Sequence, residues 1–527
     1  MTTNEVISVS GLPPSVRKGF AFPSGSSFRE AAPQRRSLKG VHRFLAGKAK
    51  PFRKEGGKPQ RVVLAILCFA LLGGFGVAAQ QPAHDFSREK ARATRDWVRD
   101  GLVYEIYPRA FSAAGDFNGI TARLDDLKQL GVNILWLMPI HPIGELKKKG
   151  TIGSPYAVRD YYAINPAYGT KADFKRLIAE AHRRRMKVII DVVANHTSWD
   201  SVMMKTPEFY EHDAQGRITY PHDWSDVAEL NYNNALLRRY MIDMLKYWIR
   251  EFDLDGFRCD VAEEVPTEFW ETARAELEAI KPDIVMLAEG HKPELLLKAF
   301  DFDYSWPLHS ALTNVLQGRA AASTLRAAWE QEFREWPQGS LHMRFSDNHD
   351  ERRAIARFGE PGALAASVLM FTLDGVPMLY NGMEVGDTTE SGAPALFEKL
   401  PIFWPIGERR PEFPRFYQQM SALRRASAAL RRGTLEWVSN PDESRVVTFM
   451  RRSRGEEVLV AINLSNRPFS GSLRVETDGR FSDVTPDVAP PLPPDAPAPE
   501  RAARRHPVTL PTLSLDSWGY RIYRHRN

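Results

Sequence analysis

The sequence predicts an α/β fold, an eight-stranded (β/α)8 or TIM barrel with a short inserted subdomain after its third strand and a C-terminal antiparallel β-sandwich. Short apolar runs alternate with amphipathic helical stretches over most of the chain, as in successive β/α units. No glycine-rich phosphate turn follows the first run, which argues against an open doubly wound sheet. From residue 434 the pattern changes to short alternating strands, which predicts the sandwich.

The barrel elements can be placed in order along residues 85–433, beginning with a polar helical lead-in at 85–99. Seven strands are clear and an eighth, at 300–304, has a weaker pattern. The predicted strands are 103–107, 133–137, 188–193, 256–259, 284–287, 300–304, 342–345 and 377–380. Apolar residues at helical spacing predict helices between them at 120–130, 171–185, 235–251 and 266–279.

Two segments depart from the β/α repeat. Residues 195–232 are rich in Asp, His, Trp and Tyr and have no helical period, so they are predicted to form the small inserted subdomain over the barrel mouth. Residues 434–527 are predicted to form the β-sandwich. Its predicted strands are 445–451, 457–464, 471–476 and 518–524, with a Pro-rich loop at 488–499.

Residues 1–79 form a basic leader. They carry 13 Lys and Arg against 3 Asp and Glu, and they end in an uncharged, mostly apolar segment at 62–79. This pattern predicts either a signal peptide cleaved before Gln80, with translation starting near Arg61, or an uncleaved membrane anchor with a cytoplasmic tail. The globular part is therefore expected to be exported, as a periplasmic or secreted protein, and to meet a membrane only if the apolar segment is retained.

Charge and cysteine content exclude other classes. The formal net charge of +6 comes from the leader, so the rest of the chain is net negative and has no basic stripe for nucleic acid. The basic run at 147–149 is expected to be only a solvated loop. Cys68 lies in the leader, which leaves Cys259 without an intramolecular disulfide partner and, within an apolar strand, predicted to be buried.

Carboxylates follow four of the apolar runs, at Asp191, Asp260, Glu289 and Asp350. Asp260 and Glu289 are 29 residues apart, about one β/α unit, and Glu289 and Asp350 are 61 apart, about two units. Because the C-terminal ends of barrel strands meet at one mouth, Asp260, Glu289 and Asp350 should converge there. Three carboxylates in one pocket predict acid/base chemistry on a neutral substrate.

Glycosidic bond cleavage needs an acid for the leaving oxygen and a carboxylate for the oxocarbenium-like centre. Neighbouring strands lie about 4.8 Å apart, close to the about 5–5.5 Å between the carboxyls of retaining enzymes, so retention is expected. Arg258, two residues before Asp260 on the same strand face, is expected to keep that carboxylate ionised as a nucleophile. The apolar run at 285–288 is expected to raise the pKa of Glu289, as suits an acid/base.

The motifs around these residues resemble those of the α-amylase family of glycoside hydrolases, family 13. The resemblance covers about residues 101–384 and rests on the stretches DVVANH, GFRCD, AEG, DNHD and GVPMLYNGME. It implies that Asp260 is the nucleophile, Glu289 the general acid/base and Asp350 the transition-state stabiliser. It further implies that substrate is bound at the same subsite by Tyr156, Asp191, His196, Arg258 and His349.

The resemblance implies no cofactor for the chemistry, and a structural calcium ligated by Asn195, as by its counterpart in many relatives. This sequence also departs from the family pattern. Ala288 precedes Glu289 where many members have Gly, and Glu263 and Glu264 follow the nucleophile where many amylases have a Lys-His pair. Those positions shape the leaving-group side, so polymer specificity is less well defined than family membership.

The expected function is retaining hydrolysis of α-1,4-glucosidic bonds in starch, maltodextrins or malto-oligosaccharides, so the expected partner is an α-glucan. An α-glucosidase, an α-glucan transglycosylase or a trehalose-forming isomerase on the same scaffold is the alternative, because these differ mainly in how the mouth loops admit water or acceptor sugar. The remote alternative is a non-catalytic, membrane-anchored accessory subunit. Such subunits lack the catalytic acids, whereas all three are present here.

Overall fold

Eight parallel strands close into a barrel in the computed structural model, which describes residues 84–475, 481–488 and 508–526. The strands run in sequence order around the barrel, so the predicted fold class is confirmed. They are β1 (Val103–Ile106), β2 (Ile134–Leu137), β3 (Lys187–Val193), β4 (Gly256–Asp260), β5 (Val285–Ala288), β6 (Phe302–Tyr304), β7 (His342–Arg344) and β8 (Val376–Tyr380). The leader lies outside the described residues, and its signal peptide or anchor stays a prediction.

Helices cover the outside of the barrel, and their ends follow local chemistry. Thr170 begins the helix Lys171–Arg183 through a capping box with Asp173, and Asp253 in the left-handed conformation ends Ala235–Phe252. The other helices of five or more residues are Phe117–Thr121, Leu124–Leu130, Thr267–Glu278, Trp306–Leu316, Ser323–Glu335, Ala354–Thr372, Glu412–Ala426 and Ala428–Arg432. Ala354–Thr372, which connects β7 to β8, is apolar and long enough to cross a membrane, but its backbone is kinked at Gly359 and most of its apolar part is buried inside the protein.

The alternation of side chains along the strands divides the core into two parts. Residues that point inward fill the barrel, among them Val103, Trp136 and Met378. Their neighbours Tyr104 and Leu135 belong to the larger cluster between strands and helices. The strands are buried on both faces, which explains why they appear as continuous apolar runs in the sequence.

The register between strands places the acidic residues at one mouth. Asp191 of β3 pairs with Arg258 of β4, and Cys259 of β4 pairs with Ala288 of β5. Asp260 and the residue after Ala288 therefore emerge side by side at the C-terminal ends of neighbouring strands. Cys259 itself is a buried free thiol, as predicted.

The predicted helical lead-in at 85–99 is wrong over most of its length. Only the 3-10 turn Phe86–Arg88 and the single turn Asp96–Arg99 are helical. Between them the chain pairs with a distant segment, because the Ala91 N–H donates to the Gln338 carbonyl oxygen at 3.0 Å. Tertiary hydrogen bonds have replaced the local helical ones that the sequence pattern favoured.

The inserted subdomain after β3 is confirmed. Strands His196–Ser198 and Val227–Glu229 pair antiparallel, and the 3-10 turns Val202–Lys205 and Pro207–Phe209 lie between them. One residue of each strand, His196 and Val227, lines the cavity at the barrel mouth, so this segment forms one side of the opening.

The C-terminal strands form antiparallel sheets, as predicted. One sheet contains Thr434–Trp437, Val446–Ser453, Glu456–Asn463, Tyr520–Arg526 and Ser482–Asp483, and the other contains Phe469–Ser472, near the strand predicted at 471–476, and Thr512–Leu515. Val446 and Met450 belong to a core that both sheets share. Val447 and Phe449, on the opposite face, pack in the large cluster around the barrel. The Pro-rich loop at 488–499 lies almost wholly outside the described residues.

Candidate active site

Arg258 is the centre of the acidic cluster at the barrel mouth. Its side chain is fully buried, and its Nη1 donates to Asp191 at 2.9 Å and to Asp260 at 2.8 Å. Its Nη2 forms an ion pair with Glu289 at 2.7 Å, at an angle that does not make a hydrogen bond. One planar guanidinium thus holds three carboxylates, and the two expected catalytic groups Asp260 and Glu289 lie on its two terminal nitrogens.

Aromatic rings surround this cation inside the barrel. The guanidinium carbon lies 5.0 Å from the Trp136 ring centroid, 5.6 Å from that of Tyr304 and 5.8 Å from that of Tyr156. The rings exclude water from Arg258 while their faces attract its charge. The cation is therefore fixed in position, and so are the carboxylates that it binds.

A second set of contacts fixes Asp350 and Tyr156. The rings of Tyr156 and His349 are stacked, with centroids 5.4 Å apart. The Tyr156 hydroxyl lies 2.7 Å from His349 Nε2 and donates to Asp191 at 3.1 Å. His349 Nε2 also lies 3.2 Å from Asp350, while its Nδ1 pairs with the buried Glu105 of β1. Burial lowers the pKa of His349, but the Asp350 and Glu105 carboxylates outweigh it and raise the pKa to about 9.

Burial also controls the two acids on Arg258. It raises the pKa of Asp260 to about 6 and that of Glu289 to about 7, while Arg258 opposes both shifts. The expected rise in the pKa of Glu289 is thus found. Arg258 lowers the pKa of Asp260, in the direction that favours an ionised carboxylate, but burial and the nearby Asp191 carboxylate raise it by more.

The structure places most of the predicted site residues around one cavity of about 320 Å³. Those lining it are Tyr156, His196, Asp260, Glu289, His349 and Asp350. Asp191 and Arg258 lie beneath it and are fully buried, so they hold the acids rather than line the cavity. His196 packs edge-on against Trp224 at 5.6 Å, and burial lowers its pKa to about 4, which keeps its imidazole neutral.

The backbone between Asp260 and Ala262 also aims at the acid pair. The Val261 N–H donates to Glu289 Oε2 at 2.8 Å. Val261 has a φ of 36°, in the left-handed region that a β-branched residue rarely adopts. This strained turn directs a backbone donor at the Glu289 carboxyl, and strain of this kind is concentrated at functional sites.

Among the described residues, Asn195 does not lie in a group of ligands such as a calcium site needs. Calcium takes six to eight oxygen ligands, usually with several carboxylates. Within the described ranges, no three Asp, Glu, His or Cys side chains come together as a group that could hold a metal ion. The carbonyl oxygens on either side already accept hydrogen bonds, that of Ala194 from Tyr232 and that of His196 from Tyr161. The residues present therefore do not fit the calcium implied by the resemblance.

Sequence reasoning missed several residues of the site. The run at 147–149 was expected to be solvated, but Lys149 lines the cavity and pairs with the buried Asp226 at 2.7 Å. Phe397, which follows β8, lines the cavity as well. Glu105 had one sequence signal, a carboxylate inside an apolar strand, whereas the Lys149 contact depends on two loops that are distant in sequence.

Comparisons with known proteins agree with this geometry. The sequence matches the family described as "Alpha amylase, catalytic domain" over residues 105–213 and 212–440. It is 28% identical over 475 residues to Alpha-amylase MalA of Haloarcula japonica, covering 85% of this chain and 66% of that one. It is 26% identical to a cyclomaltodextrinase of Geobacillus thermopakistaniensis, covering 73% and 72%. The crystal structure of an alpha-amylase from Lactobacillus plantarum superposes with a TM-score of 0.70 at 31% identity, covering 82% and 100%.

Proposed function

The chain belongs to the α-amylase family of glycoside hydrolases, and we propose that it is a retaining glycosidase that hydrolyses α-1,4-glucosidic bonds in maltodextrins, malto-oligosaccharides or starch. The observation that carries the proposal is the shared contact of Asp260 and Glu289 with Arg258. Two carboxyls held by one guanidinium are close neighbours, as retention requires, and are not spread apart to admit a water molecule as in inverting enzymes. The names of the relatives support an α-glucan as substrate.

The proposed reaction has two steps. In the first, a carboxylate oxygen of Asp260 attacks C1 of the sugar, and Glu289 donates its proton to the departing glycosidic oxygen. In the second, Glu289 removes a proton from water, the water oxygen bonds to C1, and the bond between C1 and Asp260 breaks. Both side chains then have their starting protonation. Asp350 lines the same cavity, where its negative charge stabilises the positive charge that develops on the ring.

The supporting residues have separate proposed roles. Tyr156 and His349 form one aromatic and hydrogen-bonding surface of the cavity, against which a sugar ring packs. His196, from the inserted subdomain, contacts the same sugar ring. Arg258 and Asp191 position the acids from below. The two carboxyls and the water molecule together account for every proton that moves in the proposed reaction.

The products of maltoheptaose test the proposal. Shorter maltosaccharides should appear, and their new reducing ends should be in the α form when first observed by proton NMR, since two inversions at C1 retain configuration. New ends that are first β would contradict retention, and a lack of products would contradict the proposed function. Oligosaccharides longer than the substrate, or trehalose, would show that the alternative reactions on this scaffold are the main ones.

The pH profile should be a narrow bell. Catalysis needs Asp260 ionised and Glu289 protonated, so kcat/KM should fall as the pH drops through about 6 and also as it rises through about 7. Initial rates on a maltosaccharide between these values and well beyond them measure both limbs. A profile that is flat through both values would contradict the assigned protonation states.

A further inference from the structure

Two loops and one residue of the inserted subdomain join into a continuous wall on one side of the cavity. They are residues 149–153, which follow β2, residues 391–398, which follow β8, and Asp226 of the inserted subdomain. Together they are called the glycone-side wall. Four of its residues line the cavity directly: Lys149, Asp226, Leu396 and Phe397.

Two hydrogen bonds join the β2 and β8 loops of this wall. The Ile152 N–H donates to the Phe397 carbonyl oxygen at 3.1 Å, and the Thr151 N–H donates to the Glu398 carboxylate at 2.9 Å. At Gly150 the loops approach so closely that an added Cβ would lie 2.4 Å from the Cβ of Phe397. A side chain at Gly150 would therefore separate the two loops.

The wall is also attached at its base and at both ends. Buried Arg109 donates to the carbonyl oxygen of Leu396 at 3.2 Å from beneath. The Ser391 hydroxyl donates to the Glu351 carbonyl oxygen at 2.8 Å, which joins the β8 loop to the β7 loop. At the other end the Lys149–Asp226 ion pair joins the β2 loop to the inserted subdomain. Among the described residues, the wall thus extends from the β7 loop to the subdomain.

The strand order shows which end of the substrate meets this wall. β2 and β8 are the two neighbours of β1, and β5 lies across the barrel from β1, four strands away in either direction. Glu289, the proposed proton donor to the leaving group, directly follows β5. The leaving-group side of the substrate is therefore on the β5 side of the mouth, and the opposite, glycone side points at the wall.

We infer that the glycone side is a closed pocket and that the enzyme removes one or two glucosyl units at a time from the non-reducing end of an α-glucan. This rests on the proposed function and extends it from bond type to mode of attack. The cavity of about 320 Å³ lies at the lower end of the range for ligand pockets, which suits a short glycone better than a long chain. On the side of Glu289 the cavity is lined by Val261 of the β4 loop.

The experiment compares two forms of maltoheptaose that carry a fluorophore at the reducing end. One has a free non-reducing end, and the other has its terminal O4 and O6 blocked by a benzylidene group. The free form should first yield glucose or maltose and a long labelled fragment, as resolved by mass spectrometry. The blocked form should be cleaved with a kcat/KM lower by about 100-fold or more, because the blocking group clashes with the wall.

Variants of the wall show whether it is the barrier. Lys149→Ala removes a half-exposed ion pair and Phe397→Ala removes a ring, so each should raise cleavage of the blocked form relative to the free form by about 10-fold or more. Lys148→Ala is the matched control, because Lys148 pairs with Glu145 of its own loop and does not line the cavity. It should leave the ratio of the two rates unchanged.

Each outcome supports or overturns the inference. Equal cleavage of both forms by the unaltered enzyme, or short labelled fragments as first products, would overturn the closed pocket and leave the proposed function intact. Rejection of the blocked form that persists unchanged in both wall variants would overturn the wall as its cause. No cleavage of the free form would overturn the proposed function itself, and the inference with it.

Discussion

Asp260→Asn should reduce kcat on malto-oligosaccharides by about 10⁴-fold or more, because an amide cannot form the ester with C1 on which the two-step reaction depends. The fold should survive. Burial and the neighbouring carboxylates raise the pKa of Asp260 to about 6, so a neutral side chain of the same shape removes an unfavourable buried charge. A thermal unfolding temperature equal to or above that of the unaltered enzyme is expected by circular dichroism.

Asp191→Asn is the matched control for this variant. It removes the same charge from the same guanidinium, since Arg258 Nη1 donates to both carboxylates, but Asp191 does not line the cavity. Its kcat should fall by a much smaller factor than that of Asp260→Asn. Equal losses in the two variants would show that Asp260 acts only as a charge on Arg258, and would contradict its role as nucleophile.

The positions of the catalytic carboxylates could be predicted from the sequence because they depend on a repeat. A β/α unit has a regular length, so the spacing of Asp260, Glu289 and Asp350 already placed them at one mouth. All eight strands were found for the same reason. Each is buried on both faces and therefore appears as a short apolar run between helical patterns.

The remaining features depend on how deeply a residue is buried and on contacts between loops that are distant in sequence. A local sequence pattern carries no information on either. The sequence shows that Arg258 is two residues from Asp260, but not that the pair is buried deeply enough for desolvation to outweigh the cation. Lys149 and Asp226 meet across loops that follow different strands, so the basic run around Lys149 resembled ordinary solvent-exposed sequence. Glu105 acquires its role only because β1 closes the barrel beside His349.

The Glu289 carboxyl has two proposed roles, proton donor in the first step and base in the second, and a substitution can separate them. Glu289→Gln removes the proton donor of the first step and the base of the second, so kcat on maltoheptaose should fall by about 10²- to 10⁴-fold. Because the pKa of Glu289 is raised to about 7, the alkaline limb of the pH profile should disappear in this variant while the acid limb, due to Asp260, remains. Initial rates across the pH range measure both effects.

A substrate with a better leaving group distinguishes the acid and base roles of Glu289 from a purely structural role. α-Maltosyl fluoride loses fluoride without needing a proton, so Glu289→Gln should still form the ester with Asp260 and then stall at the water step. Azide needs no base to attack C1, so it should restore turnover and give α-maltosyl azide, detectable by mass spectrometry. Glu263→Gln is the matched control, since Glu263 accepts the His291 N–H and does not line the cavity, and it should need no azide. If azide fails to restore Glu289→Gln while the variant remains folded, Glu289 is not the acid/base, and the order of proton transfers derived from the Arg258 cluster is wrong.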